Sequence, residues 1–139
     1  MEIIANAVQT VQANQNVYFT DTPICGNSSI GHRDDSGLVT LRGVTNQCRA
    51  RFMITFGGNI AIPTTGTAGP ISLAIAIAGE AVPATSMVVT PTATEAYFNV
   101  STSVFVDVPR GCCSTISVIN TSTQEVLVQN ANLIIERVA

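Results

Sequence analysis

The densest run of chemistry-bearing side chains is His32-Arg33-Asp34-Asp35, and its histidine is the only one in the chain. A serine or cysteine nucleophile in need of a base would have to borrow that imidazole. The two carboxylates are hard oxygen donors, so Asp34 and Asp35 are the candidate ligands for a cation such as calcium. Set against this is a solvated hairpin loop whose opposite charges pair locally, the commoner use of such a run. We take His32, Arg33, Asp34 and Asp35 as a recognition loop, and nominate no catalytic residue, no resident metal and no cofactor.

Cys25, Cys48, Cys112 and Cys113 form the second set, a candidate disulfide or thiol cluster. Four cysteines allow three intramolecular pairings, and their spacing does not choose among them. The start of the chain has no basic segment leading into an apolar one, so no signal peptide is expected and buried free thiols are the expectation. Adjacent Cys112 and Cys113 would bridge each other only with backbone strain, which makes Cys25 or Cys48 the easier partner for either. Lacking paired CxxC motifs and a nearby histidine, the four do not have the spacing of a zinc site.

The remaining chemistry is sparse. Glu80, Glu95, Asp107, Glu125 and Glu136 are dispersed and nominate no acid/base pair. The glycine runs GTAGP and GGN lack the strand-to-helix setting of a phosphate loop. All six basic residues, Arg33, Arg42, Arg49, Arg51, Arg110 and Arg137, are arginines, the cation preferred in interfaces and bidentate pairs. With a net charge of -3 and no basic stripe, nucleic-acid binding is not expected. Asn-X-Ser patterns at Asn27, Asn99 and Asn120 read as chance matches in a chain rich in these residues. No apolar run approaches the ~20 residues of a membrane span, so membrane insertion is not expected.

The elements that must hold these groups read as strands throughout. Only 11% of residues are charged against about 25% in a typical soluble domain, so much of the exterior is neutral and suited to association. Strands are expected within Glu2 to Val11, Asn16 to Thr20, Leu38 to Arg42 and Cys48 to Phe56, the last broken by Gly57-Gly58. Further strands follow over Pro70 to Ala78, before a turn at Gly79-Glu80, and around Ser86 to Thr90. Thr94 to Val108 reads as one bent strand or two, and Thr115 to Asn120, Glu125 to Val128 and Asn132 to Val138 complete the set. This is an all-β sandwich or barrel of about nine or ten short strands. One domain covers 1–139, with 1–14 an N-terminal strand or attachment segment.

Pro70 to Glu80 is the most informative strand because it alternates large and small apolar residues. Ile71, Leu73, Ile75 and Ile77 share one face, while Ala74, Ala76 and Ala78 stand on the other. Neither face suits water, so the alanine face is expected to meet a second copy of the chain. Tyr18 and Phe19, and Tyr97 and Phe98, each place one aromatic ring inward and one outward. Tyr97 joins the expected interface, and an exposed member of either pair would be the lead toward glycan binding.

The order NVYF, HRDDSG, LVTLRG and ARFMITFGGN resembles the complement globular-head and tumour-necrosis-factor superfamily. The pieces LAIAIAGEAVPATS, VDVPRGCCSTISVIN and NLIIERVA are similar to its compact bacterial and phage members, among them the heads of collagen-like exosporium proteins and stand-alone chains of gut Firmicutes and their phages. The resemblance covers most of Gln15 to Ala139 and implies a ten-strand antiparallel jelly roll assembling as a homotrimer. Met1 to Asn14 lacks a G-X-Y period, so no collagen-like stalk is expected. The implied function is non-enzymatic: a homotrimeric decoration or fibre-head module on a virion surface, with capsid or fibre proteins as partners. The alternative is a head on a bacterial cell or spore surface that binds carbohydrate or a host-surface receptor.

Overall fold

The computed structural model describes residues 1–26 and 28–139 of the chain; the sequence pattern beginning at Asn27 lies outside the described residues. Among them are twelve strands: β1 Glu2–Ala5, β2 Gln9–Val11, β3 Asp21–Ile24, β4 Ile30–His32, β5 Val39–Arg42, β6 Arg49–Ala61, β7 Ile71–Ile77, β8 Glu80–Ala81, β9 Met87–Val89, β10 Phe98–Pro109, β11 Cys113–Asn120 and β12 Val126–Arg137. A single 3-10 turn, Pro83–Thr85, precedes β9. One antiparallel sheet runs β10-β6-β12-β1-β3, with β2 also on β12, and the other runs β4-β5-β11-β7-β8, with β9 also on β7. The two sheets pack face to face as a jelly-roll sandwich.

Alternation in the long strands explains the packing. Ala50, Phe52, Ile54, Phe56 and Ile60 of β6 are fully buried, while Arg51, Met53, Thr55 and Asn59 between them stay partly exposed. Phe56 meets Phe19 edge-on at 6.5 Å between ring centroids, a favoured aromatic geometry. The inner faces of β7, β11 and β12 add Leu73, Ile75, Ile116, Val118, Leu133 and Ile135 to the same core.

The structure refines the strand expectations, beginning with Glu2 to Val11, which holds two short strands, β1 and β2, in place of one. Gly57 and Gly58 do not break β6, because this central strand is bonded on both edges, to Ser101 and Val100 of β10 and, at Gly57, to Asn132 of β12. Two neighbours compensate for the weak strand preference of glycine. The two expected segments at the C-terminal end are one strand, β12, with a register shift between Gln129 and Asn132 and Asn130 at φ 53, the signature of a bulge. Thr94 to Val108 holds one strand, and its β-structure begins at Phe98. Asn16 to Thr20 is not a strand: Val17 bonds Val118, Phe19 bonds Ser36 and Thr20 bonds Ile4, so the segment passes from one sheet to the other and pairs with neither for long.

Candidate functional site

Tyr18 lies on that crossing segment, 54% exposed, with Phe19 beside it fully buried. Alternation turns the two rings to opposite sides. Tyr18 and Asn16 form one wall of a shallow cavity of about 500 Å³, and the hairpin from Arg33 through Leu38 forms the other. A smaller cavity of about 200 Å³, lined by Ala5, Ala7, Val8, Gln9, Tyr18, Thr20 and Asp35, adjoins it. Tyr18 and Asp35 belong to both and divide them. The surface therefore combines an exposed ring and the exposed Leu38 with a guanidinium, two carboxylates and an asparagine amide. Such a set suits a neutral polyhydroxylated ligand, which stacks an apolar face on a ring and hydrogen-bonds at its edges.

The hairpin is held open by local bonds. Asp35 takes φ 66, a left-handed conformation that Asp tolerates. Its N–H donates to Phe19 O, and Ser36 N–H donates to Arg33 O. The expected recognition loop separates into two roles. His32 turns inward: its ring meets Phe19 edge-on at 6.4 Å, and its Nε2 lies 3.0 Å from Ser36 O, so that nitrogen carries the proton. Arg33, Asp34 and Asp35 are exposed and line the cavity. Asp34 Oδ1 accepts the Thr22 hydroxyl at 3.1 Å. Among the described residues no three His, Cys, Asp or Glu side chains of one chain gather as metal ligands, and the carboxylates of Asp34 and Asp35 line the cavity.

The alanine face is corrected by the fold. Ala74 and Ala76 pair in register with Ile119 and Ser117 of β11 and have no accessible surface within a single chain, so nothing remains there for another copy to cover. Ala78 leaves the strand altogether. With Gly79 it forms the two-residue turn between β7 and β8, at φ 54 and 86; this turn geometry needs positive φ at both central residues. Tyr97 is 38% exposed.

The surface that is open lies on the other sheet. The outward side chains of β6, β10 and β12 meet in rows: Phe105, Met53 and Glu136, then Ser103, Thr55 and Ile134, then Ser101, Gly57 and Asn132. Phe105 is 62% exposed, and Ile134 and the nearby Ile24 are exposed as well. Hydroxyls of Thr55 and Ser103 bond each other at 3.0 Å, and the Asn99 amide donates to Asn59 at 3.1 Å. At one edge Arg51 reaches Asp107, which Arg49 also contacts at 3.0 Å. The hydrogen bonds from Arg51, aided by the charges of both guanidiniums, hold the Asp107 carboxyl below the usual carboxylate range, and Arg51 is raised in turn.

The cysteines depart from expectation in burial. Cys25, Cys48, Cys112 and Cys113 are all exposed and none is bridged.

No family model matches the chain, and no curated protein matches it. Among solved structures, the globular domain of zebrafish complement 1qA protein is similar, with a TM-score of 0.63 at 13% identity over 96% of this chain and 93% of that one. The EclA C-terminal domain, a sugar-binding protein, aligns with a TM-score of 0.44 at 13% identity over 95% of this chain and 79% of that one. CBM35 from Cellvibrio japonicus Abf62 aligns at 0.37 and 9% identity, over 100% of this chain and 98% of that one. Two antiparallel sheets in this strand order, together with the similarity to the complement domain, show that the chain has a jelly-roll fold like that of the complement globular domain.

Proposed function

We propose that the chain is a non-enzymatic binding head that takes a neutral carbohydrate in the cavity beside Tyr18. The observation that carries this reading is the exposed Tyr18 ring facing Arg33, Asp34 and Asp35 across about 500 Å³, a volume within the range of small-ligand sites. The chemistry is recognition: the ring supplies stacking area, and the polar groups fix orientation. A glycan array probed with the chain and with Tyr18→Ala tests it. Binding to a set of glycans that the variant loses, at unchanged melting temperature, supports the reading; absence of glycan binding, or equal binding by both, overturns it.

Homotrimerisation, with display on a larger particle such as a virion, belongs to the same proposal. It is supported by Phe105, Ile134 and Ile24, which stand exposed on the open sheet face. Three long strands and β1 span on the order of 700 Å², close to the ~800 Å² that each partner contributes to a stable interface. Sedimentation at micromolar concentration should give three chain masses for the natural sequence and one for Phe105→Asp. A natural chain that stays monomeric would remove the trimer from the proposal and leave the Tyr18 site to stand alone.

A further inference from the structure

One end of the sandwich gathers every cysteine and most of the cationic charge. Cys25 follows β3, Cys48 precedes β6, and Cys112 and Cys113 open β11. The ladder registers put these strand ends side by side, Glu2 opposite Ile24 and Ile134, Arg49 opposite Pro109, and Cys113 opposite Arg42. Backbone bonds then fasten the loops together. Arg110 N–H donates to Cys48 O and Gly43 N–H to Cys112 O, both at 2.9 Å. Arg42 donates to Ser28 O, and Arg137 to Ser29 Oγ and to Val44 O.

Cysteine is among the most buried residue types, so four exposed thiols on one end call for a use. Arg42, Arg49, Arg51, Arg110 and Arg137 surround them, against Glu2, Asp107 and Glu136 among the described residues at that end. Beside Cys48 the balance is clearest. A cavity of about 230 Å³ is lined by Gln47, Cys48, Arg49, Arg51 and Ala139. Arg49 and Arg51 share the carboxylate of Asp107, the Arg51 backbone N–H donates to Ala139 O at the same cavity, and Arg110 brings a further guanidinium to this end.

We propose that this end is a thiol-exchange surface for small disulfides that carry carboxylates, with Cys48 the first thiol to react. The arginines attract and orient the carboxylates of the incoming compound. The Cys48 thiol gives its proton to water, and its sulfur bonds to one sulfur of the disulfide. The S–S bond breaks, and its electron pair leaves on the other sulfur, which takes up a proton. The protein thiol is thereby oxidised into a mixed disulfide, and the released half of the reagent is reduced to a free thiol. Cys25, Cys112 and Cys113 offer further exposed thiols on the same surface. The proposal is independent of the Tyr18 site.

The test compares oxidised glutathione, which is anionic, with cystamine, which is cationic, on the reduced full-length chain. Adducts are followed by intact mass and peptide mapping, and each rate is divided by the rate of the same reagent with the neutral thiol N-acetylcysteine amide. The expected result is a first adduct on Cys48 and a normalised preference for glutathione of about fivefold or more at low salt, shrinking toward one in 1 M salt as charges are screened. Cys48→Ser should lose that first adduct, and Arg110→Gln should reduce the preference at an unchanged melting temperature. Equal normalised rates, a preference for cystamine, a first adduct elsewhere, or disulfide-linked dimers in place of adducts would each overturn the proposal.

Discussion

The side-chain amide of Gln9 grips the backbone of Tyr18 at both of its polar groups. Gln9 Nε2 donates to Tyr18 O and Tyr18 N–H donates to Gln9 Oε1, each at 2.9 Å. A side chain here takes the place of a neighbouring strand, because the crossing segment has left β11 and pairs only once with the hairpin at Ser36. The ring that divides the two cavities is thus positioned by a residue of β2.

Gln9→Ala should loosen this clamp without opening the core. Losing two neutral hydrogen bonds at an exposed site costs about 1–2 kcal/mol. Affinity for any glycan bound beside Tyr18 should fall about tenfold, less than for Tyr18→Ala, as titration calorimetry of the two variants would read. An affinity unchanged by Gln9→Ala would mean that the clamp does not position the ring.

Asn120 should be among the least replaceable polar residues. It has no accessible surface, and its amide donates to Val11 O and Gln124 O, both at 2.9 Å, while its Oδ1 accepts Ser122 N–H. Asn120→Ala strands two carbonyls and an N–H in a dry site, a loss of about 3 kcal/mol. Urea denaturation would show it as a lower midpoint with an unchanged slope.

Gly43 is required by space rather than by turn geometry. A Cβ at this position would stand 2.1 Å from Pro109 O, and the backbone oxygen cannot yield without breaking the bonds that join Gly43 to Cys112 and Gly111. Gly43→Ala should cost about 2–4 kcal/mol, as overpacking against backbone does. It should also raise the reactivity of Cys48 and Cys112 toward a neutral alkylating reagent, because the two loops come apart.

Asp107 gives the chain one acid-sensitive contact. Its folded carboxyl is held below the usual range chiefly by the hydrogen bonds from Arg51, so the unfolded chain binds the proton more readily. That contribution to stability is complete above the ordinary carboxylate value near pH 4 and is lost as pH falls through the lower folded value. Asp107→Asn should flatten the fall in melting temperature below about pH 4, and the difference should shrink in high salt because the pair is exposed. Parallel melting curves for the two chains at every pH would exclude this role.

Periodicity in the chain determined which residues lie inside. Phe52, Ile54 and Phe56, and Val106 and Val108, are buried as their alternation requires, with Phe105 and Asp107 outward, because side chains of an extended chain change sides at every step. That local rule, with turns at Pro109 to Gly111, was enough for an all-β sandwich, and the order of its strand motifs was enough for the jelly roll. What covers each outer face depended on partners far along the chain. Alternation marked Ala74, Ala76 and Ala78 as one set, yet the first two are buried within the chain itself and the third is spent on a turn. The meeting of Tyr18 with the Arg33 to Leu38 hairpin, and of Cys25, Cys48, Cys112 and Cys113 at one end, followed from sheet order alone. Hydrogen bonds between residues as distant as Asn120 and Val11 set that order, and no local pattern records which distant strands will lie side by side.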